Sequence, residues 1–305
     1  AVGDEADVVA VRLVGHGEAA PGGLGAHLLL GGVAEREHRV GELLAGEHAE
    51  HVRLVLARID AAAQHAVLQP GVVAGGDRVE AERERAVEHF KRLVEVGVEL
   101  GARIVNTVAP TPFDLPVPRI TEKHLRQEWS LDVPPDLDWR RNWSEYVEVV
   151  RRCCEICEDA GVRYALEPHP YRLMRNAASM LRLIDQVGSP ALGMNFDPSH
   201  LFPMGELSEM VVYEVGDRVF HTHLSDNDGT SNVHWRPGKG KIDWRRVLQA
   251  LHAVGYDYVL SIELEDVAGV ARAGRSSAAE FDQEVLLAKA YLTELCGELG
   301  INVEG

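Results

Sequence analysis

Four short stretches of this chain end in side chains able to bind a divalent cation or move a proton. Val162-Arg-Tyr-Ala-Leu166 runs into Glu167-Pro-His169, and Leu192-Gly-Met-Asn-Phe196 runs into Asp197-Pro-Ser-His200. Arg218-Val-Phe220 runs into His221-Thr-His223-Leu-Ser-Asp226, and Tyr258-Val-Leu-Ser-Ile262 runs into Glu263-Leu-Glu265-Asp266. Each lead-in reads as a β-strand, so the chemistry falls at strand C-terminal ends, where parallel α/β folds carry their sites. A flat sheet would spread these groups in a row; a closed barrel would aim them at one axial point. Carboxylate oxygens and imidazole nitrogens with no thiolate suit Mn²⁺, Mg²⁺, Co²⁺ or Zn²⁺.

The elements that must position these groups alternate regularly from Gly76 onward. Arg78 to Gly101 reads as an amphipathic helix, with Val87, Phe90, Leu93, Val94 and Val98 at helical spacing. Trp139 to Ala160, Ala177 to Val187, Ile242 to Val254 and Ala278 to Leu299 read as further helices, the first three stopped by Gly161, Gly188 and Gly255. Leu207 to Val215 supplies two helical turns, with Met210, Val211 and Tyr213 expected to face inward. Strands are expected at 102–108, 162–167, 192–197, 218–224 and 258–264. Such alternation implies a parallel sheet. Three more strands from the first 75 residues would complete an eight-stranded (β/α)8 TIM barrel, with Val8 to Val14 and Val52 to Ile59 as candidates. The Pro-rich segment from Pro110 to Pro135 is too long for a routine connection and is expected to lie over the barrel mouth, flanked by Trp129 and Trp139. Neither a dinucleotide glycine fingerprint nor a P-loop is present.

Residues 1–75 form an anomalous segment ahead of the catalytic region at 76–305. Between Ala1 and His89 there is no Ser, Thr, Lys, Asn, Phe, Tyr, Trp, Cys or Met. Apart from Ile59, every residue type in that stretch can be encoded by a codon beginning with G or C. This bias is expected when the third codon position of a GC-rich gene is read as a first position. We therefore hypothesise that part of the segment is not a native coding frame; the other reading is a degenerate, Ala/Gly/Val-rich start of the barrel. No function is assigned to its histidines.

Size and charge set outer bounds. A chain of 305 residues suffices for one large barrel. No apolar run approaches the ~20 residues that span a bilayer, and no signal-peptide pattern opens the chain, so a cytoplasmic protein without a membrane partner is expected. The net charge of −17 repels a phosphate backbone and argues against nucleic acid. Cys153, Cys154, Cys157 and Cys296 lack the second nearby pair a zinc knot needs and read as buried thiols of a reducing compartment. The sequence leaves open whether the chain forms a homo-oligomer.

Leu166-Glu-Pro-His169, Phe196-Asp-Pro-Ser-His200, His221-Thr-His-Leu-Ser-Asp226, Pro237-Gly-Lys-Gly-Lys-Ile-Asp-Trp244 and Leu260-Ser-Ile-Glu263, taken in order, resemble the xylose isomerase-like TIM-barrel superfamily, the sugar phosphate isomerase/epimerase family. The resemblance implies metal ligands at Glu167, Asp197, His223 and Glu263. It puts His200 against substrate, and it leaves His221 deeper in the barrel as a structural residue. It implies proton abstraction next to a carbonyl via an enediolate, in a divalent-metal-dependent isomerase or epimerase acting on a small-molecule sugar or polyol. Mn²⁺ is the expected cofactor. Glu263, His200 and His169 are the candidate proton carriers. The basic loop His234 to Lys241 brings Arg236 and Lys239 as candidate substrate contacts, because Pro237 and two glycines tighten its turn. The sugar 3-epimerases carry a second glutamate six residues after the first; here that position is Leu173. This departure keeps other readings open: an inosose dehydratase-like enzyme or a C-glycoside-cleaving lyase, an AP endonuclease-like phosphodiesterase, or a non-catalytic barrel subunit. The nuclease reading is weakened by Asn232-Val-His234 in place of that group's Asp-Arg-His.

Overall fold

A computed structural model describes residues 10–12, 27–29, 77–99, 101–112, 133–265 and 278–303. The strand expected at Val52 to Ile59, the middle of the Pro-rich segment with Trp129, and Asp266 lie outside the described residues. The chain divides into two compact units. One comprises 1–117, 132–164 and 187–192; the other comprises 118–131, 165–186 and 193–305.

The first unit contains two short strands, β1 (Ala10–Arg12) and β2 (His27–Leu29), which pair antiparallel with Ala10 opposite Leu29. A parallel pair would need a helical crossover of a dozen residues or more. The intervening sequence offers Pro21 and five glycines instead. Helix α1 (Asp77–Glu99) buries Val87, Phe90, Leu93 and Val94, whereas Val98 is exposed. Strand β3 (Ile104–Val108) follows, and then helix α2 (Trp139–Ala160). Asp138 caps α2 by accepting from the Arg141 amide, and Gly161 ends it in the left-handed region at φ 70°. Arg152 on α2 donates two hydrogen bonds to Glu84 on α1, at 2.5 and 2.7 Å. Cys153, Cys154 and Cys157 point into the packed side of α2 as free, buried thiols.

Three further strands follow along the chain, β4 (Arg163–Glu167), β5 (Leu192–Phe196) and β6 (Val219–Thr222). Every residue of β5 and β6 is buried, as expected for strands covered on both faces. Within the second unit, β5 and β6 run parallel and come unusually close. A Cβ on Gly193 would collide with the Phe220 ring and with the Arg218 carbonyl oxygen, 2.6 Å away. The register shifts between Met194 and Asn195, and Asn195 then faces His221.

Helices α3 (Ala177–Val187), the single-turn α4 (Pro198–Leu201), α5 (Ser208–Val215), α6 (Trp244–Ala253) and α7 (Ala278–Glu298) complete the described α-helices. The inward face expected for α5 is corrected. Val211 is buried, but Met210 and Tyr213 are about half exposed, and the covered face is Ser208, Val211, Val212 and Val215. Those four residues have the i, i+3, i+4, i+7 spacing of one helical stripe, which Met210 and Tyr213 do not share.

The stretch expected as a strand at 258–264 forms only a parallel bridge between Ile262 and Leu224. Side chains claim its ladder groups. The Val259 carbonyl accepts from the Thr222 and Tyr256 hydroxyls, at 2.9 and 2.7 Å, and the Ser261 amide donates to the Thr222 hydroxyl at 3.3 Å. What survives is enough to place the next residue: Leu224 N donates to Ser261 O at 2.7 Å, and Glu263 N donates to Leu224 O at 3.3 Å. No described helix is long and apolar enough to cross a membrane.

Candidate metal centre

Glu167 leaves β4, Asp197 leaves β5, His223 leaves β6, and Glu263 follows the bridge. One ligand atom from each lies within 4.8 Å of the others, and all four side chains are buried. His223 Nδ1 sits 2.9 Å from Glu167 Oε2 and 2.6 Å from Glu263 Oε2. Asn195, turned inward after the register shift, donates to Glu167 Oε2 at 2.8 Å and lies 3.1 Å from His223 Nδ1. Asp197 divides its oxygens: Oδ1 caps α4 by accepting from the Ser199 amide at 2.8 Å, while Oδ2 is buried with no hydrogen-bond partner. The Asp-Pro-Ser-His sequence is thus a helix cap with Pro198 in the first turn. It commits one carboxylate oxygen to the backbone and leaves the other at the site.

Three buried carboxylates this close repel one another, and taking them out of water is costly without a compensating charge. An oxygen-rich set with one imidazole is the donor chemistry of a hard or borderline divalent cation, so the residues present fit such an ion.

A second group adjoins the first through Asp197. His200 and His234 complete it, with Asp197 Oδ2 3.6 Å from His200 Nε2 and 3.4 Å from His234 Nε2. His200 Nε2 also contacts Glu167 Oε1 at 2.9 Å, and its Nδ1 lies 2.8 Å from Asn232 Oδ1. Burial disfavours a charged His200 ring, but Asp197, Glu167 and Asn232 outweigh it and raise its pKa. The His169 ring lies 4.1 Å from that of His200, centroid to centroid, and its Nδ1 is 3.2 Å from the Pro170 carbonyl. Burial, the cationic His200 and Arg172 all push the His169 pKa down. His221 is buried beside His223 with its pKa pushed down to about 3, mainly by burial and then by His223.

The loop after β6 is held by Asp226. Its Oδ2 accepts from Gly238 N and Trp244 Nε1, both at 2.9 Å, and its Oδ1 accepts from Ile242 N at 3.2 Å. Gly240 rests on the Asn227 carbonyl so tightly that any Cβ would overlap it and Asp226. Arg236, on this loop, pairs through its Nε with Glu284 of α7 at 3.1 Å. Lys239 is exposed.

Sequence reasoning gave no site role to Asn195, Asn232, His234 or Asp226. Asp226 carried a legible signal, because it closes the His-Thr-His-Leu-Ser-Asp run ahead of a Gly-Lys-Gly turn. His234 stood in view as the start of the basic loop and as a mismatch to a nuclease motif, and neither pointed to Asp197.

The chain belongs to the xylose isomerase-like TIM barrel family, whose family model matches residues 41–287. Its fold is therefore a TIM barrel, and the parallel strands described above are part of it. It is 31% identical over 193 residues to an uncharacterized protein of Methanocaldococcus jannaschii, covering 62% of this chain and 59% of the other. It is 31% identical over 134 residues to fructoselysine 3-epimerase of Escherichia coli O157:H7 (43% of this chain, 47% of the other). It is 25% identical over 196 residues to inosose isomerase of Bacillus subtilis strain 168 (62% and 63%). The matches thus span about half to three-fifths of the length of these curated relatives. Among solved structures, a D-tagatose 3-epimerase-like protein superposes with a TM-score of 0.59 at 20% identity, over 84% of this chain and 86% of the other.

Proposed function

We propose that this protein is a divalent-cation-dependent isomerase or epimerase of a sugar or polyol. The observation that carries this reading is the buried convergence of Glu167, Asp197, His223 and Glu263 at the C-terminal ends of parallel strands. The names of the relatives, a fructoselysine 3-epimerase and inosose isomerases, support it.

In this reading Glu167, Asp197, His223 and Glu263 hold the ion, with Mn²⁺ the first candidate and Mg²⁺, Co²⁺ or Zn²⁺ the others. The bound ion would supply Lewis acidity to a ketose carbonyl and its neighbouring hydroxyl. Glu263 takes the proton from the carbon next to that carbonyl and returns it to the same or the adjacent carbon. His200, held through Nδ1 by Asn232, meets a substrate hydroxyl by exchanging Glu167 at Nε2, and His169 packs against its ring as the further candidate proton carrier. Asn195 holds the Glu167 carboxylate in the orientation the site needs. Lys239 contributes from the loop after β6. Arg236 contributes only by exchanging Glu284 for substrate.

Proton exchange tests the reaction class directly. The metal-loaded protein is incubated in D₂O with a panel of ketoses and inososes, and deuterium at the carbon next to the carbonyl is read by NMR. Exchange with at least one member is expected. A reaction that cleaves a C–glycoside or eliminates water without returning the proton would replace the isomerase reading with the lyase one.

A further inference from the structure

We propose that Arg172 is an anion-binding residue of this site, and that the substrate carries an oxyanion, a carboxylate or a phosphate ester, remote from its reacting carbonyl. The inference rests on the sugar or polyol reading above and narrows its substrate class. Arg172 follows Glu167 by five residues, in the turn that leaves β4. It is only 7% exposed, and its Nε and Nη1 are buried without a hydrogen-bond partner. Burial lowers its pKa to about 10, and no carboxylate opposes that shift. A guanidinium in this position is a buried cation awaiting a counter-charge, and such groups are costly to retain unpaired.

The turn holds it there firmly. Arg172 N donates to the His169 carbonyl and His169 N to the Met174 carbonyl, each at 3.2 Å, while Leu173 and Met174 are wholly buried. Tyr171 sits at φ 64°, a left-handed conformation that a bulky residue adopts only under constraint. The charge of Arg172 is felt at His169, whose ring packs at a tilt against His200, itself 2.9 Å from Glu167. Arg172 thus borders the candidate proton carriers without belonging to the ligand set. A planar guanidinium fork matches two oxygens of a carboxylate or phosphate, and a hydroxyl could not offset its charge. In a chain of net charge −17, a fixed cation at this point would also select for an anion that the rest of the molecule repels.

Calorimetric titration of the metal-loaded full chain tests this with three titrants: a neutral ketohexose, its 6-phosphate and the corresponding ketohexuronate. The wild type should bind one charged titrant at least about tenfold more tightly than the neutral one, and whichever is favoured identifies the oxyanion. Arg172→Met should weaken that titrant by about 10- to 100-fold, the effect of a lost charged hydrogen bond, and leave the neutral sugar unchanged. Arg172→Lys should retain part of the preference. Equal wild-type affinity for all three overturns the proposal, as does a folded Arg172→Met that keeps the preference. Should Arg172→Met fail to fold, the wild-type comparison and Arg172→Lys decide. Charge preference without proton exchange on any sugar would support Arg172 and sink the isomerase reading. Exchange without charge preference would do the reverse.

Discussion

Asp197 shows how one side chain can serve fold and site together. Its Oδ1 caps α4, and its Oδ2 faces His200 and His234. Asp197→Asn can keep the cap through its remaining oxygen while weakening the ligand, so the variant should still fold, by far-UV circular dichroism, and lose most of its metal. Glu167→Gln should behave alike. Asn195→Ala removes the amide that orients Glu167 and is expected to cost about 10- to 100-fold in metal affinity, measured by chelator competition. Full affinity in Asn195→Ala would show that His200 and the surrounding packing orient Glu167 without the amide. Arg236 poses a sharper alternative. If it exchanges Glu284 for substrate, Glu284→Gln should lower KM and Arg236→Ala should raise it. If it only ties the loop to α7, both variants should lose roughly 0.5–1 kcal/mol of stability with KM unmoved.

At the scale of elements, the strand ends carried the legible part of the site. Polar residues closing apolar runs marked the four strand ends, because a strand's C-terminal edge is a matter of local sequence, and the family resemblance then singled out Glu167, Asp197, His223 and Glu263 among the residues there. Helices α2 and α3 were equally legible, since Gly161 and Gly188 mark where they stop. What was hidden depends on contacts distant in sequence. Thr222 competing for the Val259 carbonyl dissolved an expected strand, and the Arg236–Glu284 pair joins residues on separate elements. The α5 stripe was misjudged because Met210 and Tyr213 are apolar, although their spacing puts them off the buried face. Met210→Lys should therefore shift stability by no more than about 0.5 kcal/mol, whereas Val212→Asp should cost roughly 3 kcal/mol or more. Denaturant melts check both, and equal effects would contradict the assigned face. The cysteines of α2 yield another test. Burial pushes the Cys154 thiol up to about 12, and Cys153 and Cys157 are raised as well, again chiefly by burial. Native protein at pH 8 should resist alkylation at all three, read by mass spectrometry, and react fully once unfolded.

For the molecule as a whole, family membership makes it a TIM barrel, and among its described residues a buried cluster of three carboxylates and one imidazole could hold a metal ion. The family match begins at residue 41, inside the compositionally anomalous segment. If part of residues 1–75 is read out of frame, the source locus should show an intact alternative frame across those codons; its absence would leave a degenerate barrel start. The central claim, however, is that Glu167, Asp197, His223 and Glu263 together hold a divalent cation. Elemental analysis of the purified wild type and of Asp197→Asn, after dialysis against Mn²⁺ and removal of loose ions, tests it most directly. The account predicts roughly one equivalent per chain in the wild type and strong depletion in the folded variant. Equal metal in both proteins, or none in the wild type, would contradict it.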